Sequence, residues 1–245
     1  MKLSKINYYA AYLHFLSAIA IAAVFYAKGQ KANFDIDFYR LKITSISGGG
    51  RDISLEPEKA LDLTTQNIEY VIIFIFLITG FFHLFYYTDG FDSGTYSSEL
   101  DKGFNRLRWV EYGITATMMV FVLSVLSGIK DYDTAVLLCN ITIAIMAIGY
   151  FLEQSSTKGA KITAIIIGFY LLCILFGTLL RNMFERFQEA KDVGKELPDW
   201  LYGVLTPMII WFASFGVVAI LNVKNMGKKN YDFRKYEKYY IYLSY

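Results

Sequence analysis

Hydrophobic positions along this chain fall into long runs that are separated by shorter polar segments. Six of the runs have the length of about 18–22 residues that a helix needs to cross the roughly 30 Å hydrocarbon layer of a membrane. The six predicted membrane spans are Tyr8–Ala27, Tyr70–Tyr87, Trp109–Gly128, Thr134–Leu152, Ile162–Leu180 and Trp200–Leu221.

A further apolar stretch begins near the end of the sequence, after the basic segment Lys224–Lys238. The stretch Tyr239–Tyr245 is too short to cross a bilayer, so we expect it to begin a seventh helix that continues past Tyr245. The sequence therefore predicts an all-α polytopic membrane protein. We expect one domain over residues 1–245, a seven-transmembrane helix bundle whose seventh helix is truncated here.

The extracellular loop over residues 28–66 has the pattern of a β-hairpin. Tyr39, Leu41 and Ile43 alternate with Arg40 and other polar residues, and the glycines at 48–50 follow before a second such stretch. Alternation interrupted by glycine is typical of a hairpin. The hairpin could be a cap or an oligomer contact, but a plain surface element is favoured because loops mostly lie on the surface.

Basic residues in the short loops favour an N-terminus in the cytoplasm. Lys2 and Lys5 before an apolar run also fit a cleaved signal peptide. The first run is longer than the usual apolar core of about 7–15 residues in such a peptide, and it contains His14. We therefore expect a permanent first span, a cytoplasmic N-terminus and an extracellular C-terminus.

Composition supports a membrane protein. Hydrophobic residues make up 55% of the chain and charged residues 19%, against about 45–50% and about 25% in soluble domains. These values exclude a soluble enzyme, a secreted disulfide scaffold and a disordered tail. The net charge of +2 gives no sign of nucleic-acid binding. The sequence also has no phosphate-binding glycine loop of the kind that would indicate a nucleotide-dependent enzyme. Cys139 and Cys173 lie within apolar runs as small hydrophobic residues.

Three titratable residues fall within the predicted spans: His14, His83 and Glu111. Such residues are costly in lipid and are usually functional. At 1.5 Å per residue along helices of alternating direction, all three should lie within roughly 10 Å of the same membrane surface. Glu153 ends the fourth span at that surface.

Three interpretations of this cluster remain open. Glu111 could be an ordinary helix-start acid paired with Arg108, and the histidines could be amphipathic side chains at the interface. The cluster could instead accept and pass protons, since imidazoles titrate near neutral pH. It could also bind zinc, but three separate helices would each have to supply one ligand, so we expect no metal site.

Several segments resemble the heliorhodopsins, a family of seven-helix retinal-binding rhodopsins with inverted topology. Arg108–Tyr112, followed by small and hydroxyl residues and then methionine, is similar to the family's third helix. Other similar segments follow on the matching helices and in the family's order, and the hairpin has a counterpart. They are Leu13–Phe15, Phe82–Leu84, Asn140 with Leu152–Glu153, Phe212–Phe215, Tyr236–Tyr239 and Ile241–Ser244.

The resemblance implies all-trans retinal, bound as a protonated Schiff base to a lysine that is expected just after Tyr245. Glu111 matches the counterion of the Schiff base. His14 and His83 match a cytoplasmic-side cluster that responds to the released proton. The positions that match the retinal pocket are Tyr112, Thr115, Met119, Asn140, Trp211 and Phe215.

The resemblance further implies a photoreceptor in the lipid bilayer, in which photoisomerisation of retinal moves a proton and changes helix packing. It also implies a homodimer that acts on an unknown signalling partner. A light-gated proton or ion channel or transporter is the alternative. It would use the histidine–glutamate cluster together with charged residues near the end of the fifth span, because charged rings can select ions. We expect the segment Arg181–Lys195, which carries those charges, to be a solvated loop. A light-independent transporter or structural membrane protein is the third possibility, to be preferred if no retinal binds.

Overall fold

The computed structural model describes residues 2–28, 35–47, 52–90, 93–194 and 200–244. Within these ranges the chain forms eight α-helices and one two-stranded sheet. In chain order the elements are α1 (Leu3–Lys28), β1 (Asp35–Ser47), β2 (Asp52–Thr64), α2 (Thr65–Tyr87), α3 (Thr95–Asp101), α4 (Arg106–Leu126), α5 (Tyr132–Gln154), α6 (Lys158–Asp192), α7 (Trp200–Asn225) and α8 (Phe233–Leu243).

Six of these helices are long and apolar enough to cross a membrane, which confirms the six predicted spans. They are α1, α2, α4, α5, α6 and α7. Each contains its predicted span except α4, which ends two residues before the predicted Gly128. Gly128 itself has a φ of +76°, a left-handed conformation that favours glycine and ends the helix.

The helix α6 extends about three turns past the predicted end at Leu180. The expectation of a solvated loop from Arg181 was therefore wrong as far as Asp192. Ion pairs one turn apart, Arg181 with Glu185 and Arg186 with Glu189, support an exposed helix in this region.

The predicted hairpin is present, with β1 and β2 paired antiparallel so that Phe38 lies opposite Leu61 and Arg40 opposite Glu58. The register is irregular next to Phe38 and again after Ile43. The glycines at 48–50 lie outside the described residues.

This hairpin is docked on the bundle, which corrects the expectation of a plain surface element. Phe38 is buried and stacks on Phe121 of α4 at 5.8 Å between ring centroids. The Tyr39 amide donates a 2.8 Å hydrogen bond to the carbonyl of Lys130 in the α4–α5 connection. Burial of one aromatic side chain and a backbone hydrogen bond fix β1 against the ends of α4 and α5.

The two ends of the bundle have different interiors. We call the end with the starts of α1, α4, α6 and α8 the N-terminal end, and the opposite one the hairpin end. The main apolar cluster lies toward the hairpin end and joins Phe38 to Val120, Leu123, Ile129, Ala135, Leu138, Leu175, Phe176, Leu179, Met183 and Leu205. Most of the buried charged and amide side chains lie toward the N-terminal end: Asn7, His14, His83, Glu99, Asn105, Arg108, Glu111, Glu153, Lys161, Asn222 and Glu237.

Candidate functional site

The carboxylate of Glu111 lies in the interior, one turn into α4. Its side chain is buried, and the Tyr86 hydroxyl of α2 donates a 3.2 Å hydrogen bond to Oε2. The other oxygen, Oε1, is buried and has no hydrogen-bond partner among the described residues. Burying a carboxylate oxygen without a partner is costly, so this atom requires a hydrogen-bond donor or a cation.

Arg108 does not pair with Glu111, which makes the interpretation of Glu111 as a helix-start acid paired with Arg108 wrong. Its buried guanidinium instead donates to the carboxylates of Glu153 from α5 and Glu237 from α8. Helical side chains point toward the N-terminus of their helix. The two ion pairs hold the guanidinium of Arg108 at the end of α5 and the start of α8.

Glu237, like Tyr86, is a residue of this site that the sequence analysis missed. It lies in a segment dominated by basic residues, and we placed the start of the apolar stretch after it, at Tyr239. The helix α8 begins earlier, at Phe233, and Asp232 caps it by accepting a 2.9 Å hydrogen bond from the Arg234 amide. The capping aspartate was the available signal, because it predicts a helix start at Phe233 and so places Glu237 within the helix.

The two histidines, which the sequence predicted at a common depth, also lie next to each other. The rings of His14 and His83 stack with centroids 5.5 Å apart and an interplanar angle of 4°. The ring of His83 also packs against the ring of Tyr86, with the two centroids 6.0 Å apart. The hydroxyl of Tyr86 in turn donates a hydrogen bond to Glu111. The predicted grouping of both histidines with Glu111 toward one end of the bundle is thus confirmed.

Aromatic side chains from α4, α7 and α8 pack beside this polar group. Tyr112 meets Phe215 edge to face at 5.2 Å, and Phe215 stacks on Tyr240 at 6.1 Å. The indole nitrogen of Trp211 donates to the carbonyl of Leu243. Three predicted pocket residues, Tyr112, Trp211 and Phe215, therefore lie along the contact of α7 and α8 with α4.

Of the remaining predicted pocket residues, Thr115 and Met119 lie at least partly in the interior, and Asn140 lies on the surface. Thr115 is buried one turn after Glu111, and its hydroxyl donates to the Glu111 carbonyl at 3.0 Å. Met119 is half-buried one turn further along the same face of α4. Asn140 is exposed and donates a 2.8 Å hydrogen bond to Val136 of its own helix, so the structure does not bring it together with the others.

At the edge of the site, Tyr231 in the α7–α8 connection donates a 2.8 Å hydrogen bond to Oδ1 of Asn222. Burial, and next the nearby Glu153 carboxylate, raise the pKa of Tyr231 to about 12. The phenol is therefore neutral at physiological pH and remains a hydrogen-bond donor. Within the described ranges, no group of three or more His, Cys, Asp or Glu side chains could hold a metal ion.

Membrane-crossing helices around a buried polar interior define the class of this molecule: it is an integral, multi-pass helical membrane protein. The sequence model of the heliorhodopsin family matches residues 3–245, so the chain belongs to the heliorhodopsin family. No curated protein matches the chain. Membership implies a light-sensing rhodopsin that binds retinal.

Proposed function

We propose that retinal binds beside Glu111 and that light absorption changes both the protonation of this site and the packing of α8. The observation that carries the proposal is the buried Oε1 atom of Glu111, which lacks a partner among the described residues. When bound, retinal in its all-trans form supplies visible-light absorption and, through a protonated Schiff base with a lysine, a positive charge.

The charges around Glu111 fit a cationic ligand. Arg108 is the nearest buried cation in sequence, but its guanidinium already binds Glu153 and Glu237. Among the described residues, the neutral hydroxyl of Tyr86 is the only donor to the Glu111 carboxylate. A buried carboxylate needs a cation or several donors to remain ionised, so Glu111 would act as the counterion of the bound group.

The surrounding side chains fit a flat conjugated ligand. Tyr112, next to Glu111 in α4, packs edge to face on Phe215 of α7, and Trp211 lies one turn before Phe215. Thr115 and Met119 follow Glu111 on the same face of α4. Ligand sites are mostly apolar with a few placed polar groups, and aromatic rings favour stacked or edge contacts with a planar partner. We leave Asn140 out of the proposed pocket because its amide is exposed.

The histidines are the groups proposed to hold a proton after light absorption. His14 and His83 are stacked within the interior, and Tyr86 lies between them and Glu111. Either imidazole can take up a proton without forming a like-charged pair, provided that the other stays neutral.

The distribution of polar groups favours a sensor over a light-gated channel. The described interior toward the hairpin end consists mainly of apolar side chains. The charges on α6 that the channel alternative invoked, from Arg181 to Glu189, form exposed ion pairs with one another on the helix surface. A proton can therefore move within the N-terminal half, but these residues supply no polar route through the other half.

We also propose a cytoplasmic N-terminus, an extracellular C-terminus and a homodimer that acts on a signalling partner. The basic residues of the short loops support the orientation. The dimer and the partner rest on the family resemblance.

The absorption spectrum of the full-length protein purified with all-trans retinal tests the proposal. We expect a visible band well to the red of free retinal, bleached by hydroxylamine in the light. Glu111→Gln should shift or abolish the band, because it removes the negative charge beside the chromophore. Glu189→Gln is the matched control, since Glu189 pairs with Arg186 on the exposed surface of α6. Absence of a band, or a band unchanged by Glu111→Gln, would contradict the proposal.

A further inference from the structure

The imidazole of His83 is held between side chains from two other helices. Its Nδ1 atom lies 2.9 Å from Oδ1 of Asn7 in α1. Its Nε2 atom lies 2.8 Å from Oγ of Ser244, directly after α8. A neutral imidazole carries one ring proton, so one nitrogen donates and the other accepts. Which nitrogen carries that proton determines where a further proton can bind.

The chain of hydrogen bonds that settles this question begins at Glu237. Its carboxylate is buried in an ion pair with Arg108, and an ionised carboxylate only accepts hydrogen bonds. The hydroxyl of Tyr96 in α3 lies 3.1 Å from Oε1 of Glu237. A phenol has a single hydrogen, so Tyr96 must donate it to this carboxylate.

The Asn7 amide is oriented in turn by Tyr96. The phenolic oxygen has already given its hydrogen to Glu237, so toward Asn7, 3.3 Å away, it can only accept. The NH₂ group of Asn7 therefore faces Tyr96, and its carbonyl oxygen faces His83. An amide oxygen cannot donate, so the proton of neutral His83 must be on Nδ1.

We propose that Glu237, Tyr96 and Asn7 together hold His83 in the Nδ1–H tautomer, which makes Nε2 the atom that accepts a proton. Asn7 and Tyr96 are positioning residues in this arrangement, because they act through His83. The part that concerns the light response rests on the proposed function, whereas the dark-state tautomer does not.

Ser244 is suited to both protonation states of His83. Its Oγ lies 2.7 Å from the carbonyl oxygen of Ile241 as well as 2.8 Å from Nε2. While His83 is neutral, the Ser244 hydroxyl donates to the bare Nε2. Once Nε2 has bound a proton, the new N–H donates to Oγ and the hydroxyl hydrogen turns to Ile241. Protonation then requires only rotation of a hydroxyl, with no movement of heavy atoms.

Nitrogen-15 NMR of ring-labelled histidine in the full-length protein, in lipid and in the dark, tests the tautomer directly. The chain has only two histidines, so the variant His14→Phe assigns the signals of His83. We expect Nδ1 to be protonated and Nε2 to be bare. An Nε2–H tautomer in the unsubstituted protein would overturn the proposal.

Tyr96→Phe tests the connection to Glu237 because it removes one hydroxyl and keeps the ring. The Asn7 amide is then free to turn. We expect the ratio of the Nδ1–H tautomer of His83 to the Nε2–H tautomer to fall by about five- to tenfold, which corresponds to the loss of one hydrogen bond. Tyr231→Phe is the control, since that phenol bonds Asn222 instead, and it should leave the ratio unchanged. Equal ratios in both variants would refute the role of Tyr96.

Asn7→Leu provides a second test if Tyr96→Phe does not fold. Without the amide oxygen, His83 should change to the Nε2–H tautomer and donate to Ser244. In the illuminated protein, a proton on Nε2 would support its role as acceptor. A protein that shows its visible band and light response with Nε2 still bare would refute that role, whereas absence of the band would instead count against the proposed function.

Discussion

At the scale of single residues, Arg108 is the side chain on which the buried charges depend. Its guanidinium binds the carboxylates of Glu153 and Glu237 and lies over the ring of Tyr240, with Cζ 4.0 Å from the ring centroid. Lys161 lies close by and donates a 2.9 Å hydrogen bond to the carbonyl of Leu152. The positive charges of Arg108 and Lys161 balance the negative charges of Glu153 and Glu237, and buried ions are tolerated under this condition.

Arg108→Met is expected to destabilise the protein by about 3–5 kcal/mol, because it leaves two buried carboxylates without their cation. Arg181→Met is the matched control. The Arg181 side chain is 78% exposed and pairs with Glu185 on the surface, so its loss should cost at most about 1 kcal/mol. Thermal unfolding of the purified variants in one detergent compares the two. Equal transition temperatures would contradict the importance of the buried ion pairs.

A second residue-scale prediction concerns Gly149 of α5. A Cβ atom at this position would overlap the Trp109 ring, so the indole needs the absence of a side chain there. We expect Gly149→Ala to displace Trp109 and to cost about 1–3 kcal/mol through overpacking. Gly177→Ala in α6 is the control, since no other group of the described residues lies within 4 Å of that added Cβ. Tryptophan emission and thermal unfolding would check both variants, and a Gly149→Ala protein indistinguishable from Gly177→Ala would refute the close packing.

At the scale of elements, the hairpin stabilises the bundle through a small part of its surface. Phe38 belongs to the main apolar cluster, with contributions from α4, α5, α6 and α7. Arg40 adds a 2.8 Å ion pair with Asp133 at the start of α5 and lies over the ring of Tyr132. Because the Arg40 pair is exposed, most of the docking energy must come from the buried Phe38.

Phe38→Ala should therefore destabilise the protein by about 3–5 kcal/mol, the usual cost of removing a buried phenyl ring. Leu41→Ala, three residues further along β1, is the control because Leu41 is 64% exposed. It should change stability by about 0.5 kcal/mol or less. Thermal unfolding measures the difference. A hairpin that contributes nothing to the fold would give the same transition temperature for both variants.

At the scale of the whole molecule, the interior has polar groups toward one membrane surface and apolar packing toward the other. The hairpin lies at the apolar end, and the starts of α1 and α8 lie at the polar end with α3. This asymmetry places the proposed proton movement near the surface where the N-terminus lies. The orientation of the chain therefore decides which compartment can sense the change.

Cysteine labelling tests the proposed orientation. In intact cells, a membrane-impermeant maleimide should label Lys42→Cys on the hairpin, whereas Ser4→Cys at the start of α1 should react only after permeabilisation. Both parent residues are exposed. The unsubstituted protein is the control, because Cys139 and Cys173 lie within membrane-crossing helices and should stay unlabelled. The reverse pattern would place the N-terminus outside.

The sequence by itself determined the elements that depend on local composition. A span requires only enough consecutive apolar residues to match the bilayer, so all six long helices could be predicted. The hairpin followed from alternation, and the common depth of His14, His83 and Glu111 followed from the fixed rise of a helix. None of these properties depends on which helices are neighbours.

Only the tertiary structure decided how the side chains are paired. The partners of Arg108 depend on the rotation of α4 about its axis and on its neighbours α5 and α8, and a uniformly apolar helix shows little periodicity from which to infer that rotation. The same holds for the exposed Asn140 and for the docking of Phe38. The tautomer of His83 depends on four elements meeting around Asn7 and Tyr96, and such a network exists only after packing has brought together residues far apart in the sequence.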